Sequence, residues 1–141
     1  MINETLRLTG HVTVAVNDKV VQEIPNLVVT AGKGYVASRM KDTTDGAMSH
    51  MAVGTDSTAA AAGDTALGTE SGRVSLTSTT VSANVITYVA TFPAGTATAA
   101  LTEAGVLNAS SGGTMLCRTV FATVNKGASD AMTVTWAITA S

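Results

Sequence analysis

Charge is what this sequence has least of. Asp, Glu, Lys and Arg make up only 13% of its 141 residues, about half the usual share of a globular protein (roughly 25%). Its eight basic residues are outnumbered by ten acidic ones, for a formal net charge of −2. A protein that tracks phosphates carries a basic excess, so nucleic acid is not an expected partner. Aromatic residues are 4%, with a single Trp, which leaves little for a sugar-binding tip. One cysteine, Cys117, excludes an intramolecular disulfide framework. No apolar run reaches the roughly 18 residues of a spanning helix. The start, Met1-Ile2-Asn3-Glu4-Thr5, has neither the cationic nor the apolar region of a secretory leader. No membrane partner is expected.

What takes the place of charge is Thr, Ala, Ser and Gly, on a background that is 45% apolar. That content and length suffice to bury a core without staples. An isolated soluble domain usually spreads charge over its surface. A surface of hydroxyls and methyls instead points to one that other protein covers.

The apolar residues recur mainly with period two, the mark of half-buried strands. His11-Val12-Thr13-Val14-Ala15-Val16 alternates, Asn17-Asp18 makes a tight turn, and Lys19 to Ile24 returns. Pro25 lacks an N–H and interrupts the ladder. Asn26 to Val29 is short and apolar. Ala31 to Lys41 is the one helix candidate, with Thr30 as its cap and Gly32 and Gly34 weakening its first turn. Asp42 to Gly46 stops it, and Met48 to Val53 is a further strand. Gly54 to Gly72 is a long, low-charge connection, beyond the usual loop length and so a candidate contact segment. Strands then follow over Arg73–Val81, Asn84–Phe92, Thr98–Leu107 (with Gly105 as a bulge), Thr114–Val124 and Met132–Thr139. The expected fold is mainly β: an antiparallel β-sandwich, jelly-roll-like, with one short helix near 31–41. Residues 1–8 precede the regular strands as an N-terminal arm, and 9–141 form the sandwich domain.

Chemistry is sought without success. His11 and His50 have no second His or Cys at ligand spacing and read as strand-surface imidazoles. Cys117, in Met115-Leu116-Cys117-Arg118, reads as a buried, inert thiol. Gly32-Lys33-Gly34 lacks the preceding glycine of a phosphate loop, because that position is Leu27. Asp42, Asp45, Asp56 and Asp64 do not fit calcium-loop spacing and read as turn formers. No catalytic residue, cofactor-binding residue or metal ligand is assigned. Neither an enzymatic role nor a cofactor is expected.

Several segments carry a resemblance through their order: Asn26-Leu27-Val28-Val29-Thr30-Ala31-Gly32-Lys33-Gly34, Met51-Ala52-Val53-Gly54-Thr55 and Asp64-Thr65-Ala66-Leu67-Gly68-Thr69-Glu70, then Glu103-Ala104-Gly105-Val106-Leu107, Ser111 to Arg118, and Met132 to Ile138. Together, over roughly 26–139, they resemble a family of small structural proteins of tailed bacteriophages. Members are capsid decoration (cement) proteins, tail-fibre proteins or other virion components. The resemblance implies synthesis in the host bacterial cytoplasm and incorporation on the capsid exterior. It implies the major capsid protein as partner, binding to the assembled lattice, and self-association as a homotrimer. A tail fibre, collar or baseplate component is the alternative. Physical reasoning adds three interface candidates: Ile2 and Leu6 as apolar anchors of the arm, and Leu67 within the long connection.

Overall fold

A computed structural model describes residues 2–42 and 45–141. Met1 of the arm and Thr43–Thr44 of the helix stop lie outside the described residues. The chain forms two antiparallel sheets packed face to face, the expected β-sandwich. In chain order the strands are β1 (Leu8–Val16), β2 (Lys19–Pro25) and β3 (Leu27–Val28), then helix α1 (Thr30–Arg39) and β4 (His50–Gly54). They continue with β5 (Glu70–Ser75), β6 (Ser78–Ser82), β7 (Val85–Phe92), β8 (Ala99–Leu107), β9 (Met115–Lys126) and β10 (Met132–Ala140). One sheet runs β2-β1-β10-β7-β6 and the other β3-β9-β8-β4-β5. Hairpins join β1 to β2, β4 to β5, β6 to β7 and β8 to β9 within a sheet. The β2–β3, β5–β6, β7–β8 and β9–β10 links carry the chain between sheets, while β3 returns to β4 of its own sheet through α1.

Local chemistry explains several of these links. Asn17 and Asp18 both take positive φ (49° and 65°), the pairing a two-residue hairpin turn requires. Pro25 ends β2, and after Asn26 the chain reappears as β3 on the opposite sheet, beside β9. A residue without an N–H sits where pairing changes sheets. The Ser110–Gly113 turn holds Gly112 and Gly113 at φ +60° and +78°, a region that glycine enters freely.

The inner faces supply the core. Val12 and Val14 of β1, Met132, Val134 and Trp136 of β10, and Ala90 and Phe92 of β7 are buried against Met51 and Val53 of β4 and Leu101, Ala104 and Val106 of β8. Trp136 is wholly buried, and its indole N–H has no partner among the described residues. Helix α1 packs on β9 because Gly32 has no side chain. A Cβ there would lie 2.0 Å from the Leu116 carbonyl oxygen.

Four local expectations are corrected. Thr30 is the first helical residue and does not cap; Val29 holds the N-cap position with no side-chain cap bond, and the Thr30 N–H donates to the Ala62 carbonyl. Arg73–Val81 is two strands, not one. The Leu76 N–H donates to the carbonyl of Ser49, just before β4 of one sheet, and the next N–H, of Thr77, to that of Val89 in the other. Gly105 keeps register opposite Arg118 and Ala52, with irregularities on either side of it at Leu101/Glu103 and Val106/Leu107. Strand β9 runs past the expected end at Val124 to Lys126, whose buried ammonium donates to the Pro93 carbonyl at 2.9 Å.

Candidate interaction surface

Alternation along each strand sends every second residue outward. On β10 those are Thr133, Thr135, Ala137 and Thr139; on β7 they are Val85, Thr87, Val89 and Thr91. Strand β1 contributes Thr9, His11, Thr13 and Ala15, and β6 contributes Ser78, Thr80 and Ser82. Registers set these side by side, Thr13 with Thr135 and Thr133 with Thr91. The Thr91 and Thr133 hydroxyls lie 3.0 Å apart. Across β1, β10, β7 and β6 this outer face carries no Asp, Glu, Lys or Arg. Its nearest ionisable pair is His11 with Glu23 of β2, at 3.4 Å on the exposed edge. The shortage of charge in the composition is thus concentrated on one sheet face of hydroxyls and methyls.

The three interface candidates fall in different places. Ile2 and Leu6 are 91% and 69% exposed in the segment before β1. Leu67 is not a surface anchor. It is buried in a small second core with Val29, Ala52, Leu107 and Met115. An apolar side chain in a polar loop found its cover within its own chain.

The loop that carries Leu67 is fastened by a cluster that was not recognised from sequence. Glu103 on β8 is fully buried. Its carboxylate accepts the backbone N–H groups of Asp56, Gly68 and Thr69 at 3.0, 2.8 and 2.8 Å. It also accepts Nε and Nη2 of Arg118 on β9, both at 3.1 Å. Arg118 reaches Asp64 at 3.0 Å and Asp56 at 3.8 Å. Asp56 and Asp64 are turn formers as read, accepting the N–H groups of Thr58 and Ala61. They are also the outer pair of this cluster. Bonds from the backbone and hydroxyl of Thr58, more than the charge of Arg118, hold the Asp56 carboxyl below its ordinary range. The guanidinium occupies the space between the carboxylates, so the arrangement fastens the loop to the sheet. A sequence signal existed: Glu103 and Arg118 are opposite charges set in apolar runs on consecutive strands.

No family model, curated protein or solved structure matches this chain.

The remaining chemical candidates are occupied by structural roles. Cys117 is buried, and burial pushes its thiol far up. His50 is on strand β4, its two ring nitrogens within 2.8 and 3.4 Å of the Ser49 and Ser75 hydroxyls. Among the described residues no group of three His, Cys, Asp or Glu side chains is arranged to hold a metal, and no helix is long and apolar enough to cross a membrane.

Proposed function

We propose that this chain is a structural protein of a bacteriophage virion, and within it a capsid decoration protein. On this reading it is made in the host cytoplasm and binds the outside of the assembled major capsid lattice as a homotrimer. It needs no cofactor and performs no catalysis. The observation that carries the reading is the outer face of the β2-β1-β10-β7-β6 sheet, where strands β1, β10, β7 and β6 place Thr, Ser, Val and Ala outward, with His11 but no Asp, Glu, Lys or Arg. Threonine methyls beside Val and Ala give a surface that desolvates cheaply, while the hydroxyls keep it soluble before assembly. A module that binds the shell and not its free subunits stabilises the assembled state by mass action, and a repeating lattice multiplies each weak contact.

Copy number in purified virions, measured by quantitative mass spectrometry against the major capsid protein, tests this. Hundreds of copies per particle, with particles lacking the chain bursting at lower temperature, is the expected result. A handful or a few dozen copies, with unchanged burst temperature and lost adsorption to cells, assigns the chain to the tail. Absence from virions overturns both.

A further inference from the structure

A sandwich of two open sheets has four edges, and an unguarded edge strand invites pairing. Three are guarded here. Strand β2 carries Lys19, Glu23 and Pro25 and a register irregularity. Strand β3 is two residues long and leads directly towards α1. Strand β5 carries Glu70 and Arg73, ion-paired at 2.7 Å. Strand β6, Ser78-Thr79-Thr80-Val81-Ser82, has no charge, no proline and no register irregularity, and all its residues are exposed. Val81 is 70% exposed although it pairs with Ile86 on the core side of the sheet. The opposing sheet does not reach over it. Further along the same edge, at Thr79, a recess of about 350 Å³ is bordered by Thr79, Ile86, Tyr88 and Ile138 and by Leu8 of β1, with Arg39 as its single charged lining residue.

We infer that the β6 edge accepts the N-terminal arm, residues 2–6, of a second copy of this chain as an added strand. The arm matches in pattern and charge. In an extended Ile2-Asn3-Glu4-Thr5-Leu6, the first, third and fifth side chains share one side. That side offers two exposed apolar groups and one carboxylate to an apolar recess that holds one cation and no acid. Arg39 donates to the Asp45 carbonyl and stands 3.9 Å from the exposed carboxylate of Asp42, so a second, less solvated carboxylate is a favourable neighbour.

The donor is another copy for reasons of length. Arg7 is tied to Ser141 by two backbone hydrogen bonds, and β10 and β7 lie between β1 and β6. Crossing those spacings takes about 14 Å at roughly 4.8 Å per strand, while five extended residues reach only about 17 Å in all. The arm cannot span that distance and also lie along a five-residue strand of its own molecule. A donor-to-acceptor contact is head-to-tail and closes into a ring when the rotation permits. The inference rests on the proposed trimer and gives it a contact.

Sedimentation of the full-length chain tests it through two complementary variants. One carries Ile2→Asp and Leu6→Asp, with a spoiled arm and an intact edge. The other carries Val81→Lys, with an intact arm and an edge guarded as natural edges are. The wild type is expected to associate, each variant alone to associate at least tenfold more weakly, and their mixture to form a one-to-one complex that grows no further. Should Val81→Lys fail to fold, charge reversal carries the test: Glu4→Lys and Arg39→Glu each weaken association, and the double variant restores it. A monomeric wild type overturns the inference. So does a mixture without complex, or variants that associate as the wild type does. The measurement uses isolated protein, so its failure is distinct from absence of the chain from virions.

Discussion

Replacing Arg118 by leucine removes the only cation in contact with the fully buried Glu103 carboxylate among the described residues. Breaking a buried ion pair from one side typically costs about 3–5 kcal/mol, because the other charge stays behind. Here the three backbone N–H groups that also bind Glu103 remain, and Asp56 and Asp64, with side chains 30% and 26% exposed, can turn to water. The lower end, about 3 kcal/mol, is therefore expected. For a chain of this size each kcal/mol moves the melting temperature by roughly 4 °C, so the variant should melt about 12 °C below wild type in a calorimetric scan. The double replacement Arg118→Leu/Glu103→Leu is the sharper test. Buried pairs can often be exchanged for apolar residues at little cost. This one should not be, because the N–H groups of Asp56, Gly68 and Thr69 would each lose their acceptor, at about 1–3 kcal/mol apiece if they stay buried. A double variant as stable as wild type, or a single variant melting within about 3 °C of it, would refute the idea that this cluster holds the 55–69 loop.

Two glycines in α1 should respond with opposite sign. Gly34→Ala meets nothing within 4 Å and should raise stability by about 0.5–1 kcal/mol, whereas Gly32→Ala meets the Leu116 carbonyl and should lower it; urea midpoints of the two variants check both. On the acid side, Asn17 and the Gly127 N–H bind the Asp130 carboxylate and hold its pKa below the ordinary 3.8. A depressed folded-state value makes the ionised form stabilising: that contribution is complete above the ordinary value and fades as pH falls through the lowered one. Urea midpoints from pH 5 downward should fall less steeply in Asp130→Asn than in wild type.

Much of the architecture was legible because strands separated by turn residues announce themselves locally. The Asn17-Asp18 turn, the glycines at 112–113 and the alternation through Met132–Thr139 all act within a few residues. What escaped depends on contacts distant in sequence. The break at Leu76-Thr77 bears no glycine or proline. It exists because adjacent N–H groups find acceptors on opposite sheets. Leu67 looked like a contact residue because its neighbours are polar, yet Leu107 and Met115 cover it from strands some forty residues on. The loop-fastening cluster joins residues of the 55–69 loop to Glu103 and Arg118, a proximity that no local pattern encodes. The edge recess at Thr79 depends on how far one sheet overhangs the other.

The register of β1 with β10 pairs Leu8 with Ala140 and runs to Val16 with Met132. During synthesis the β1–β2 hairpin precedes the other strands of its sheet, and the inner edge of β1 is left open where the middle strand belongs. That strand follows all the others in chain order. Until it is made, β6 and β7 have no partner through which to join the hairpin. Such long-range closure is slow and exposes intermediates to aggregation. A premature stop before Met132 would thus split the sheet at its centre, leaving two pieces with a raw edge each and no Trp136 to fill the space between them.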